Sequence, residues 1–171
     1  MITVLLDTTV ASILFDVKHP EHKQGIGFIE GLGETRVFVS VVTLAEIRYG
    51  YKLHENVDDN RRQAIEKELS RFPLLDVDKH TAGPYSTLKA ALFREYAPRD
   101  RKGKVKAKWP EDLLDRTTAK SLGIQENDLW IAAVAVQYNL ALVTCDRMNR
   151  IVAAIHEVYP DFSLLLLDAK S

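Results

Sequence analysis

An α/β fold built on a parallel sheet is the architecture this chain predicts. Short β-rich apolar runs alternate with longer helical ones, as expected of strands joined by crossover helices. Two of the runs, Ile2-Thr3-Val4-Leu5-Leu6 and Leu140-Ala141-Leu142-Val143-Thr144-Cys145, lead directly into aspartates, Asp7 and Asp146. Leu129-Trp130-Ile131-Ala132-Ala133-Val134-Ala135-Val136 is apolar almost all round, which suits a helix packed between layers.

Taken in order, residues 2–6 form the first strand and 8–15 the first helix. Residues 22–32 form a poor helix, whose Gly25, Gly27, Gly31 and Gly33 weaken it and mark its end. A second strand over 36–40 precedes helices at 42–54 and 59–71, and a third strand lies at 74–77. Helices at 80–96, 112–121 and 127–138, a strand at 140–144, a helix at 147–157 and a strand at 163–167 complete the pattern, for a mainly parallel sheet of about five strands. Between Tyr96 and Asp112 the rhythm breaks. There Arg99, Arg101, Lys102, Lys104, Lys106 and Lys108 cluster around Gly103, an exposed loop or frayed helix end leading to Trp109-Pro110.

At 171 residues and 46% hydrophobic, the chain suits one domain spanning 1–171 with a proper core. With 23 Lys and Arg against 24 Asp and Glu, the formal net charge of −1 excludes a global field that would draw in nucleic acid or membrane, so a polyanion must be gripped locally. The single cysteine, Cys145, excludes an internal disulfide framework and fits a reducing, cytoplasmic setting. No signal-peptide pattern opens the chain, and no uncharged apolar run approaches the roughly 20 residues that cross a bilayer.

Asp7, Glu46, Asp128 and Asp146 are the candidate catalytic and metal-ligating residues. Asp7 and Asp146 follow strands, at the edge where parallel sheets bind ligands. Glu46 lies one turn into the helix after Val37-Phe38-Val39-Ser40, and its length can carry it over the same crevice. Asp128 opens the apolar helix, with Asn127 as the expected cap. Each has an ordinary structural reading alone: Asp7 as an N-cap, Glu46 as a surface partner of Arg48 or Lys52, Asp128 as a first-turn acid, Asp146 as a turn residue. If gathered, such carboxylates repel and protonate unless a cation joins them. Mg²⁺ or Mn²⁺ suits an all-oxygen set and can activate water and stabilise charge on a phosphodiester. His19 and His22 complete no metal site, and Cys145 has no evident histidine partner.

Leu5-Leu6-Asp7-Thr8-Thr9-Val10, Thr43-Leu44-Ala45-Glu46-Ile47-Arg48-Tyr49-Gly50, Asn127-Asp128-Leu129-Trp130-Ile131-Ala132-Ala133 and Val143-Thr144-Cys145-Asp146 together resemble a PIN-domain ribonuclease of the VapC toxin type. The resemblance covers nearly the whole chain. It implies a three-layer α/β/α sandwich, Mg²⁺- or Mn²⁺-dependent endonuclease activity on RNA, a homodimer, and a cognate antitoxin protein that blocks the site. It maps Asp7, Glu46, Asp128 and Asp146 onto the family's acidic quartet, with Thr8 and Thr144 as flanking hydroxyls. Two departures stand out. Thr9 replaces the family's common Asn, and the chain is longer than the usual toxin, with the excess in the basic segment at about 97–112. That segment can bind RNA phosphates, with Trp109 and Tyr96 stacking on bases, or serve antitoxin docking, or simply be a solvated loop. The alternatives are a non-toxin PIN nuclease of RNA processing and a module that binds RNA or protein without cutting. Phosphatase and receiver folds fit poorly, because Thr9 stands where the first needs an aspartate and Asp146 where the second needs a lysine.

Overall fold

The computed structural model of the chain describes residues 1–53, 58–145 and 149–168, with backbone alone at 149–153. Strands β1 (Ile2–Leu6), β2 (Thr35–Ser40), β3 (Leu74–Leu75), β4 (Ala141–Thr144) and β5 (Leu164–Leu166) pair in parallel in the order β3-β2-β1-β4-β5. Helices α1 (Thr8–Phe15), α2 (His22–Gly31), α3 (Val41–Leu53) and α4 (Asp59–Leu69) lie along the path outward from β1 to β3. Helices α5 (Ala82–Tyr96), α6 (Glu126–Gln137) and α7 (Asn149–Val158) lie along the return to β4 and on to β5. Right-handed crossovers running in opposite directions along a sheet place their helices on opposite faces.

The core divides accordingly. Val4, Leu6, Val39 and Val143 pack with Val10, Ile13, Phe15, Ile47 and Ile65 from α1, α3 and α4. Leu5 and Leu142 pack with Leu88, Leu92, Leu129, Ile131 and Ile155 from α5, α6 and α7. Adjacent residues of β1 thus serve opposite cores, as the period of two in a strand requires. The result is the expected α/β/α sandwich. Burial on both sides also explains why its central strands are nearly continuous apolar runs.

Register decides where chemistry can gather. Leu6 pairs with Val39 of β2 and with Val143 of β4, so the following residues Asp7, Ser40 and Thr144 stand level at the carboxyl edge. The chain leaves β1 toward β2 and returns past it to β4, which makes the β1–β4 gap the topological switch point.

Gly25 lets α2 close on α1. A Cβ there would lie 2.8 Å from Ile13 Cγ2 and 3.1 Å from Leu14 Cδ2, both on side chains held in the core. Gly25→Ala is therefore expected to destabilise by about 1–3 kcal/mol through overpacking. Gly27→Ala, in the same helix with nothing within 4 Å of its Cβ, should stabilise by about 0.5–1 kcal/mol. Urea denaturation of the pair checks this; equal effects would show that the α1–α2 contact is not the cause.

Asp16 ties α1 to α4. Its carboxylate accepts from Lys18 N at 3.0 Å and from Arg61 Nε at 3.0 Å, and pairs with Arg61 Nη2. Burial alone would raise the Asp16 carboxyl, but these hydrogen bonds and the guanidinium charge hold it below its ordinary value. A carboxyl depressed in the folded state stabilises the fold above its unfolded pKa and loses that contribution as pH falls through its folded pKa. Asp16→Asn should cost about 1–3 kcal/mol at neutral pH, and its gap from wild type should narrow below about pH 4. Denaturant melts across a pH series read this directly; a gap constant into acid would overturn it.

The helix expected over 112–121 does not form. A 3₁₀ turn at Pro110–Asp112 is followed by an antiparallel bridge between Leu114 and Ser121. Asp115 Oδ1 accepts from Thr117 N at 3.0 Å and Thr118 N at 2.7 Å, closing a turn that competes with helix. Ala119 has a φ of 54°. Nor is the basic segment a frayed helix end. Arg99 bridges Val105 in antiparallel fashion, Asp100 Oδ1 accepts from Lys102 N and Lys104 N at 2.8 and 2.9 Å, and Gly103 has a φ of +79° at the tip. It is an ordered hairpin. Among the described residues, no helix is long and apolar enough to cross a membrane.

Candidate active site

The site is built outward from Asp7. With φ −72° and ψ 174° it leaves β1 extended and becomes the N-cap of α1, its Oδ1 accepting from Val10 N at 2.7 Å. Its backbone N–H donates to Val143 O at 3.0 Å, and its Oδ2 accepts from the Thr144 hydroxyl. Asp7 as a whole is 7% exposed. The capping and site readings of Asp7 are thus compatible, because the cap fixes the side chain at the switch point.

Helix α3 is anchored to the same edge. Ser40 Oγ accepts from Thr43 N at 3.0 Å, and Thr43 Oγ1 donates to Leu6 O at 3.4 Å, which seats the first turn against the end of β1. Glu46, one turn on, accepts from the Thr8 hydroxyl at Oε2 and from Asn127 Nδ2 at Oε1, the latter at 2.8 Å. Arg48, the neighbour that might have claimed Glu46, instead pairs with Glu66 through Nε and Nη2, both at 2.9 Å.

Asn127 is not the cap of α6. Gln125 is the N-cap, and Asp128 closes a capping box by accepting from Gln125 N at 2.7 Å. Asn127 is thereby turned toward Glu46. A linked path results: Thr144 to Asp7, Thr8 beside it to Glu46, Glu46 to Asn127, and Asp128 next along the chain. Asp7 and Glu46 therefore meet at one sheet edge through the adjacent Thr8, and Asn127 links Glu46 to the first turn of α6, where the Asp128 carboxylate itself accepts from Gln125 N. Asp146 lies outside the described residues. Thr8 and Thr144 each donate to one of the acids, as flanking hydroxyls would.

Glu46 lines two clefts that meet at it. One, about 630 Å³, runs between α3 and α6 past Val42, Ala45, Tyr49, Asn127 and Trp130. The other, about 300 Å³, lies over α1 and includes Thr8, Ser12, Asp16 and Tyr51. Burial, aided by the Asp16 and Glu66 charges, pushes the Tyr51 phenol up to about 12, so it stays protonated at neutral pH.

Among the described residues no three His, Cys, Asp or Glu side chains form a ready-made ion cage. The donor chemistry nonetheless fits a hard divalent cation. The set is all oxygen, and Mg²⁺ keeps several waters and needs only one or two carboxylates from the protein. Carboxylate oxygens offer more than one lone-pair direction each, so hydrogen bonds from Val10, Thr144, Thr8 and Asn127 orient the ligands without using them up.

The basic hairpin is tied to this edge. Glu111 Oε1 accepts from Glu126 N at 3.0 Å, at the start of α6. Lys89 Nζ pairs with Glu126 at 2.9 Å and lies 5.7 Å from the Trp109 ring centroid, while Lys108 Nζ lies 5.4 Å from the same ring. Among the described residues none of Arg99, Arg101, Lys102, Lys104, Lys106 and Lys108 forms an ion pair. Trp109 is exposed, as the stacking expectation needs. Tyr96 is half-buried against the core, with its phenol raised mainly by burial, so it does not suit that role.

Asn127 and Trp130 were within reach of sequence reasoning, since both stand in the segment that carries Asp128. The competing cap reading of Asn127 hid its contact with Glu46. Asn127→Ala should leave the fold near wild type and lower turnover by about tenfold or more, by releasing Glu46; steady-state cleavage rates with circular dichroism as the folding control test this. Undiminished turnover would make the contact incidental.

Comparison with curated proteins gave no match. Among solved structures, VapBC2 from Rickettsia felis bound to a DNA fragment from their promoter aligns with a TM-score of 0.66 and 22% identity, covering 98% of this chain and 100% of that one. VapBC-1 from nontypeable Haemophilus influenzae aligns with a TM-score of 0.62 and 21% identity, covering 98% and 100%. FitAcB from Neisseria gonorrhoeae aligns with a TM-score of 0.57 and 22% identity, covering 95% and 96%. At these identities the likeness is one of fold. The sequence model of the PIN domain matches residues 4–155, from β1 through the body of α7, and the chain belongs to the PIN-domain family.

Proposed function

We propose that this protein is a Mg²⁺- or Mn²⁺-dependent endoribonuclease and the toxin half of a toxin–antitoxin pair. The observation that carries the reading is the holding of Asp7 and Glu46 at one sheet edge by Thr144 and Thr8, with Asn127 linking Glu46 to the first turn of α6, where Asp128 stands. Membership of a nuclease family supports it, as does the full-length likeness to toxin–antitoxin assemblies. Asp7, Glu46 and Asp128, together with Asp146 from outside the described residues, would hold the cation. When bound, the cation supplies charge stabilisation at the phosphodiester and activates water for hydrolysis. Thr144 and Val10 N hold the Asp7 carboxylate at the switch point, while Thr8 and Asn127 fix the direction of Glu46. The protein acts in the cytoplasm, with a cognate antitoxin covering the site and a homodimer as its own assembly.

The direct test incubates purified protein with single-stranded RNA in Mg²⁺, in Mn²⁺ and in EDTA. Cleavage that needs a metal and vanishes in Asp128→Asn supports the reading. Intact RNA under every metal condition would sink it.

The hairpin supplies the local grip that a net charge of −1 cannot. Changing Lys102, Lys104 and Lys106 to Ala together should weaken RNA binding across sequences. For every phosphate that is no longer neutralised, the slope of log affinity against log salt should flatten by about 0.7. An unchanged salt slope in titrations would assign the hairpin elsewhere.

A further inference from the structure

We propose that the cleft between α3 and α6 beside Glu46 is a nucleobase subsite, in which one base next to the scissile phosphate lies against Trp130 and Tyr49. The inference rests on the endoribonuclease reading and adds what the substrate must present there, an unstacked base.

The cleft volume of about 630 Å³ falls within the roughly 300–1,000 Å³ typical of small-molecule sites. Its walls suit a flat, apolar body with polar edges. Val42 and Ala45 of α3 form an aliphatic side, Trp130 of α6 and Tyr49 of α3 are aromatic, and the Asn127 amide stands with Glu46 at the acidic end. Tyr49 is 62% exposed, so its ring is open to a guest in the cleft.

Trp130 is preorganised for this role. Tyr85 stacks on its indole with centroids 3.7 Å apart and planes 9° from parallel. Tyr85 is itself held, donating to Glu126 and accepting from Lys89 Nζ at 2.7 Å. The indole therefore loses little freedom when a guest arrives. Recognition of single-stranded RNA rests largely on splayed bases set against such aromatic surfaces. Because Glu46 belongs both to this cleft and to the acidic edge, a base held here is tied to a phosphate at the chemistry.

Ala45→Phe tests the subsite, since Ala45 is an exposed wall residue whose enlargement fills the cleft while leaving Glu46 and the core untouched. Short fluorescein-labelled single-stranded RNAs, each with one abasic site at a different position, are titrated by anisotropy in EDTA and then assayed for cleavage in Mn²⁺. In wild type, removing the base at one or two positions should weaken binding about tenfold or more, whereas removal elsewhere should not. Ala45→Phe should bind intact RNA as weakly as wild type binds those abasic strands. Equal binding of every abasic RNA, or undiminished binding by Ala45→Phe, would overturn the proposal, and a cleft reserved for a protein segment would give that result. A positional effect on binding without cleavage would keep the subsite and remove the nuclease reading. Cleavage with no positional effect would do the reverse, and absence of RNA binding would remove both.

Discussion

Asp7→Asn should abolish metal-dependent RNA cleavage while leaving the fold in place. Asn caps helices about as well as Asp, so the contact with Val10 N survives, and the Thr144 hydroxyl can rotate to accept from the amide NH2 that replaces Oδ2. What disappears is the negative charge at the switch point. Residues that only orient a metal ligand change affinity or activity by about 10–100-fold, so loss of a ligating charge should reach at least about 100-fold. Thermal melts separate the causes. A cation that binds the native state stabilises wild type by about 2.7 kcal/mol at a hundredfold excess over its dissociation constant, and Asp7→Asn should gain almost nothing from Mn²⁺. Asp7→Ala is the contrasting variant, expected to lose activity and also about 0.5–2 kcal/mol of stability with the cap. Wild-type turnover in Asp7→Asn would remove Asp7 from the chemistry.

Leu129→Ala should be the most costly of the simple core truncations at the site. Leu129 is fully buried and follows Asp128 directly, packing on the α5 side of the sheet. Truncation of a buried leucine costs about 2–5 kcal/mol, depending on how far the cavity collapses. Here the damage also has a functional direction, since the packing of Leu129 holds the first turn of α6, from which Asn127 reaches Glu46. The variant should therefore lose turnover even under conditions where most of it is folded. Denaturant midpoints paired with cleavage rates check both halves, and a stability loss below about 1 kcal/mol would mean that α6 is held mainly by other contacts.

The elements most legible in the sequence were those whose pattern is local. The first strand and first helix, β4 and the apolar α6 all announce themselves through period and composition, because burial on both faces leaves little choice of residue. The segment 112–121 misled for the opposite reason. It holds no glycine or proline to break a helix, but Asp115 captures the amides of Thr117 and Thr118, and a side-chain turn replaces the backbone ladder. Asn127 misled in a similar way, since a helix start has several polar residues that can cap, and Gln125 with Asp128 took that role.

Sequence by itself determined that this is a parallel α/β chain, that its acids follow strands or open helices, and that its only dense cationic stretch lies between α5 and α6. These are properties of neighbours along the chain, carried by hydrophobic period and turn chemistry. Only the tertiary structure decided which acids share an edge, that Arg48 goes to Glu66 and not to Glu46, that Asn127 completes the link from Glu46 to the start of α6, and that Trp130 is braced by Tyr85 beside the acidic end of a cleft. The reason is register and crossover handedness: they bring residues from opposite ends of the chain to one level, and no local pattern encodes that level.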